Sequence, residues 1–266
     1  MLNKENITQQ VIDIAQKAGA FIKGEQEGFS SEQVEKKGFH DYVTYVDKKA
    51  ENLIVEGLKN ILPEAGYIAE EGTQDHTHDT YNWIIDPLDG TTNFIHGLSP
   101  YAVSIALMEN QEIIVGVVYE IGLDECFYAY KGGGAFLNGK QIHVTQAGTM
   151  QEALIATGFP YTNFERLENY MEALKHLMQE SRGVRRLGSA ATDLAYVACG
   201  RFEAFFEYNL HAWDVAAGAF IVQEAGGKVS DFKGGGDYIF GGELVATNQH
   251  FYQEFFDFMN RSFVSK

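Results

Sequence analysis

The sequence predicts a mixed α+β fold in which helices pack on two sheets. It divides into an N-terminal α+β lobe over residues 1–148 and a C-terminal α/β lobe over residues 149–266. Three observations carry this expectation: two apolar stripes at helical spacing open the chain, short β-like runs joined by tight turns follow, and the second half alternates strand with helix.

The first stripe, Ile7, Val11, Ile14, Ala15, Ala18, Phe21 and Ile22, predicts an amphipathic helix from about Asn6 to Lys23, ending near Gly24. The second, Val46, Ala50, Leu53, Ile54, Leu58, Ile61 and Leu62, predicts another that stops before Pro63. The polar stretch Glu25 to His40 between them reads as a mobile loop or hairpin. From Tyr67 onward, apolar runs at 67–69, 83–85, 102–108, 112–119 and 125–130 predict a largely antiparallel meander, with Asn138-Gly139 as a further turn. The second half predicts strands at 154–157, 184–187, 202–207, 228–231 and 244–247. Helices are expected near 169–180, 189–198 and 215–225, with a last one from about His250, and the lobes join near Ala147 to Ala153.

Composition limits the function. The chain has 266 residues, 45% of them hydrophobic, and 37 Asp and Glu against 20 Lys and Arg give a formal net charge of −17. Such a surface repels nucleic acids and anionic membranes, so neither is an expected partner. If the substrate is itself a phosphate, a cation must offset the field, and a bound divalent metal is the simplest candidate. No stretch approaches the roughly 18 apolar residues of a membrane span. The start is polar, and Cys126 and Cys199 have no ligand-like spacing, so a cytoplasmic protein with two reduced thiols is expected.

The chemistry concentrates in Trp83-Ile84-Ile85-Asp86-Pro87-Leu88-Asp89-Gly90-Thr91-Thr92-Asn93. An apolar strand delivers Asp86, Pro87 breaks the ladder, and a tight turn brings Asp89 to the same side. Two carboxylates and a backbone carbonyl at Leu88, with no soft donors nearby, suit Mg²⁺ or Mn²⁺ rather than zinc. Gly90 and Thr91 offer backbone N–H groups at a helix start, a cradle for phosphate. Taken alone, the segment is equally an ordinary turn, since Asp, Pro and Gly dominate loops. Glu70-Glu71 at a strand end, Asp47 beside Thr44, and His211-Ala212-Trp213-Asp214 before an apolar helix each have bland readings as surface or capping residues.

Their ordered combination resembles the inositol monophosphatase family, whose D-P-x-D-G-[ST]-x-N and W-D-x-[AG]-[AG] segments both occur here. The similarity extends to Asp41-Tyr42-Val43-Thr44, Val117-Val118-Tyr119, Gly188-Ser189-Ala190-Ala191 and Glu224-Ala225-Gly226-Gly227. The resemblance implies a layered αβαβα sandwich of sugar-phosphatase type and a homodimer. By similarity, Glu70, Asp86 and the Leu88 carbonyl hold one Mg²⁺, Asp86, Asp89 and Asp214 hold a second, and Glu70 with water holds a third. Mn²⁺ is an expected substitute. Asp47 and Thr91 orient and deprotonate the attacking water, and Gly90 and Thr91 bind phosphate. Asp89, Ala190, Glu207 and Asp214 contact the alcohol, and Lys36 approaches phosphate or a loosely held metal.

The resemblance implies hydrolysis of inositol monophosphate, with inhibition by lithium. Relatives sharing these motifs attack NADP, fructose 1,6-bisphosphate, histidinol phosphate or 3′-phosphoadenosine phosphates, so the core motif fixes the reaction and leaves the small phosphorylated metabolite open. A catalytically silent binding protein would have a damaged set of carboxylates, and a nuclease a basic groove, and neither is evident. His76 and His78 read as solvated loop residues, and His96 and His211 as packing beside the motifs. Arg182, Arg185 and Arg186 form a basic cluster that either greets an anionic substrate or completes a subunit interface.

Overall fold

The computed structural model describes residues 2–26, 34–38, 41–74, 76–160 and 163–264, without the side chains of 34–38 and 41–43. The Lys36 side chain and loop residues 27–33 and 39–40, about which the sequence raised expectations, lie outside what is described.

Helix α1 (Lys4–Gln26) leads to strands β1 (Val34–Gly38) and β2 (Asp41–Thr44), an antiparallel hairpin, and then to helix α2 (Tyr45–Ile61). The apolar stripes of α1 and α2 bury Val11, Ala15, Ile22, Ala50, Ile54 and Leu58 against one face of a sheet. That sheet has seven strands in sequence order: β3 (Gly66–Ala69), β4 (Tyr81–Asp89), β5 (Ala102–Glu109), β6 (Glu112–Glu120), β7 (Glu125–Tyr130), β8 (Gly134–Leu137) and β9 (Lys140–Ile142). The meander is antiparallel as expected, except that β3 runs parallel to β4. Alternation sorts the two faces. On β5, Val103, Ile105 and Leu107 meet α1 and α2, whereas Ala102, Ala106 and Met108 join the core on the opposite face. Helix α3 (Thr91–Ile95) is a short turn between β4 and β5.

The second sheet has the order β11-β10-β12-β14-β13, with β10 (Leu154–Thr157), β11 (Gly183–Arg185), β12 (Ala204–Tyr208), β13 (Gly227–Ser230) and β14 (Glu243–Asn248). Strands β11, β10 and β12 are parallel, and β14 is antiparallel to its neighbours. Helices α4 (Leu167–Glu180) and α7 (Tyr252–Phe263) cover its outer face through Tyr170, Leu177, Phe255 and Met259. Helices α5 (Ala190–Ala198) and α6 (Ala212–Glu224) lie between the two sheets and are apolar nearly all round, because both sides meet core. The result is the expected five layers, α, β, α, β, α. No helix among the described residues is long and apolar enough to cross a membrane.

Candidate active site

The carboxylates converge between the sheets. The oxygens of Asp86, Asp89 and Asp214 lie within 4.8 Å of one another. Glu70, just past β3, donates its backbone N–H to the Ile85 carbonyl at 3.2 Å and shares a side-chain hydrogen bond with Asp86.

Two local readings need correction. Pro87 does not end the strand: β4 continues to Asp89 through a register shift against β5 between Asp86 and Asp89. A bulge rather than a tight turn therefore aims both carboxylates to one side, with the Leu88 N–H donating to Asp86 at 2.9 Å. Asp214 is not the cap of a helix at 215. The helix starts at Ala212, and the Asp214 carboxylate, one turn in, accepts the His211 N–H at 2.6 Å. Asp47 is built alike: Thr44 caps α2, and its N–H and hydroxyl donate to Asp47 Oδ2 at 2.8 and 2.6 Å. The other oxygen, Oδ1, accepts the Thr91 hydroxyl at 3.0 Å, which brings Asp47 and Thr91 together as expected.

Asp89 is held from the start of α5, accepting the Ser189 hydroxyl at 2.5 Å and the Ala191 N–H at 2.8 Å. Ala190 thus lies beside Asp89, and Glu207, at the end of β12, is 8% exposed nearby. Gly90 sits where the segments around Pro100 and Gly188 meet. Its φ is +90°, and a Cβ there would lie 3.1 Å from the Pro100 carbonyl and 3.2 Å from the Gly188 carbonyl.

Burial and mutual repulsion raise these carboxyls. Asp86 lies well above the usual range through burial and the charges of Glu70, Asp89 and Asp214. Asp214 rises to about 7 through burial and Asp89. Asp89 rises to about 6 through burial, held back by Ser189, the α5 amides and Arg186. Asp47 is raised by burial against the pull of Thr44 and Thr91. Acids crowded this way in a buried cavity are disfavoured as anions unless a cation joins them.

Sequence reasoning missed several supports. Glu51, fully buried one turn after Asp47, accepts the N–H groups of Glu71 and Thr73 at 2.8 and 2.7 Å and so fixes the segment after Glu70. Its i+4 spacing from Asp47 on an otherwise apolar face was the available signal. Asn93 donates to the carbonyls of Pro100 and Leu187 at 2.7 and 2.8 Å, tying α3 to the segment that leads into α5. The basic cluster divides: Arg182 and Arg185 are exposed, whereas Arg186 is half-buried and acts on Asp89 and Glu207. Of the histidines, exposed His76 packs edge-on against Tyr67, exposed His78 accepts the Thr80 N–H at 3.1 Å, and His211 stacks on Trp213. His96 is exposed at the end of α3, and Cys126 and Cys199 are free thiols.

Converging carboxylates at the start of a family-typical helix, with an aspartate–threonine pair at hand, belong to a phosphatase of the phosphoric monoester hydrolase class. The sequence profile of the inositol monophosphatase family matches residues 3–260, and the chain belongs to that metal-dependent family. It is 41% identical over 262 residues to a protein of Rhizobium meliloti named inositol-1-monophosphatase, covering 98% of this chain and 97% of the other. It is 43% identical over 239 residues to a protein of Pseudomonas aeruginosa named Nus factor SuhB, covering 88% of each. Among solved structures, the extragenic suppressor protein suhB of Bartonella henselae superposes with a TM-score of 0.88 at 39% identity, covering 97% of this chain and 98% of that one.

Proposed function

We propose that this protein hydrolyses inositol monophosphate to inositol and phosphate with Mg²⁺. Two or three ions would be held by Glu70, Asp86, the Leu88 carbonyl, Asp89 and Asp214. The observation that carries this reading is the convergence of Asp86, Asp89 and Asp214 within 4.8 Å in a buried setting that disfavours their ionisation. Their donors are all oxygen, which suits Mg²⁺, with Mn²⁺ as a substitute. Bound there, the ions supply charge neutralisation and Lewis-acid activation of water and phosphoryl oxygen.

The chain's own groups do the rest. Asp47 commits Oδ2 to Thr44 and leaves Oδ1 for Thr91, so a water bonded to the Thr91 oxygen passes its proton along that pair. Burial moves Asp47 toward the working pH and makes it a stronger base. Glu70 orients the water from the opposite side. The N–H groups of Gly90 and Thr91 bind the equatorial phosphoryl oxygens, where charge grows in the transition state. Asp89, Ala190, Glu207 and Asp214 face the alcohol, and carboxylates there accept hydrogen bonds from ring hydroxyls.

An acidic wall opposes a second phosphate, which favours a neutral polyol over fructose 1,6-bisphosphate or NADP. The two lobes at 1–148 and 149–266, homodimeric assembly, a cytoplasmic location and lithium inhibition belong to the same proposal. Supporting the division, the seven-stranded sheet draws only on residues 66–142 and the five-stranded sheet only on 154–248. Phosphate release from inositol 1-phosphate, NADP, fructose 1,6-bisphosphate and 3′-phosphoadenosine 5′-phosphate, each with Mg²⁺ and with EDTA, tests the function. Release from inositol 1-phosphate that EDTA abolishes is expected; release unchanged by EDTA, or preference for another substrate, would refute the proposal.

A further inference from the structure

Three parallel strands of the five-stranded sheet end on the site, the position where α/β sheets commonly bind ligands. β10 lies between β11 and β12, with Ala156 opposite Arg185 and Thr157 opposite Phe206. One rung further, Arg186, the Thr157-Gly158 pair and Glu207 therefore share one rim.

The contacts along that rim are close. A Cβ on Gly158 would lie 2.0 Å from the carboxyl carbon and both oxygens of Glu207, so the carboxylate rests directly on the glycine backbone. The next residue, Phe159, carries the Arg186 guanidinium 5.3 Å from its ring centroid. The guanidinium also abuts Gly188, where a Cβ would lie 2.5 Å from Arg186 Nη1. Arg186 thus touches both a ring and the glycine that leads into α5, within electrostatic reach of Glu207, Asp89 and Asp193.

Glu207 lies within electrostatic reach of that cation and remains raised well above the ordinary carboxylate range. It is 8% exposed and faces the charges of Asp214 and Asp89, all of which oppose its ionised form. Its carboxyl oxygens can accept from the hydroxyls of an alcohol. The Arg186 guanidinium, held against Phe159 and Gly188, opposes part of that repulsion.

We propose that Arg186 is a positioning residue for the leaving group, which acts through Glu207 to select a polyhydroxylated alcohol over one that lacks hydroxyls. This deepens the inositol phosphate reading and rests on it. The test compares kcat/KM for inositol 1-phosphate with that for p-nitrophenyl phosphate in Arg186→Gln, Arg186→Lys, Glu207→Gln and the Arg186→Gln/Glu207→Gln double variant. The dissociation constant of inositol 1-phosphate, with Ca²⁺ in place of Mg²⁺, is measured alongside.

Arg186→Gln is expected to lower the ratio about tenfold, chiefly through KM, and to weaken binding in parallel. Arg186→Lys, which keeps the charge without the planar stack, recovers part of the ratio. In the Glu207→Gln background, Arg186→Gln has little further effect, because the two act as one unit. An unchanged ratio in both Arg186 variants, or additive losses in the double variant, would overturn the inference alone. Wild-type protein that turns over p-nitrophenyl phosphate but no polyol phosphate would overturn the substrate reading and this inference together.

Discussion

Removing metal turns the carboxylate cluster into a pH-dependent weakness whose direction and size follow from the structure. The Asp214 carboxyl is raised from its ordinary value of 3.8 to about 7 in the folded chain. Between those limits the unfolded chain has released a proton that the folded chain retains, so folded-state stability falls as pH rises. The loss begins near pH 4 and is complete above about pH 7. At about 1.4 kcal/mol per pH unit, ionised Asp214 costs about 4 kcal/mol in the metal-free protein. Asp89, raised to about 6, titrates within the same cluster, so the two costs overlap rather than add. For a chain of this size, about 4 kcal/mol lowers the melting temperature by about 10 °C. The assay is thermal unfolding of EDTA-treated protein from pH 5 to pH 8, for wild type and Asp214→Asn. Asp214→Asn removes one of the titrating groups and should lessen the slope, whereas Asp86, Asp89 and the general repulsion of a chain with net charge −17 remain in both. Mg²⁺ at a hundred times its dissociation constant should restore about 2.7 kcal/mol at pH 8 and less at pH 5, where protons compete. Equal pH slopes in the two proteins, or Mg²⁺ stabilisation greater at pH 5, would refute the reasoning.

The remaining predictions concern the framework. Asp47→Asn is expected to lower kcat by roughly 10²- to 10⁴-fold while leaving Mg²⁺ affinity, measured by calorimetry, nearly unchanged, because Asp47 bonds Thr91 and Thr44 and lies outside the converging triad. Glu51→Gln leaves the N–H groups of Glu71 and Thr73 short of an acceptor in a buried position. Denaturant unfolding should show a loss of about 1–3 kcal/mol, accompanied by weaker Mg²⁺ binding through displacement of Glu70. Gly158→Ala drives a methyl into the Glu207 carboxylate. It should raise KM for inositol 1-phosphate and cost about 1–3 kcal/mol of stability, and unchanged KM would show that Glu207 does not meet the substrate.

Much of this architecture was legible because its signals are local. Helical spacing in α1 and α2 and the short apolar runs of the meander are properties of ten or twenty residues at a time, and the structure follows them. The D-P-L-D-G and W-D segments mark the carboxylates that converge. What was not legible depends on register across distant strands. The bulge after Asp86 is visible only against β5, since Pro87 in isolation signals a break. The spacing of Glu51 places it on the buried face of α2, but what it holds there shows only once the turn after Glu70 is placed beside it. Arg186 differs from Arg182 and Arg185 only because β11 runs beside β10, a pairing that no stretch of sequence announces.

The capping of α2 and α6 carries a further consequence. Asp47 and Asp214 each use an oxygen to close the first turn of a helix, at Thr44 and His211, so the same carboxylate both starts the helix and faces the site. Helix initiation and the placing of the reactive oxygen are then a single event. A chain that has folded its helices in register has already set these two groups, and one that has misplaced either loses the helix start along with the chemistry. Quality control and catalytic competence are, for these two residues, the same measurement.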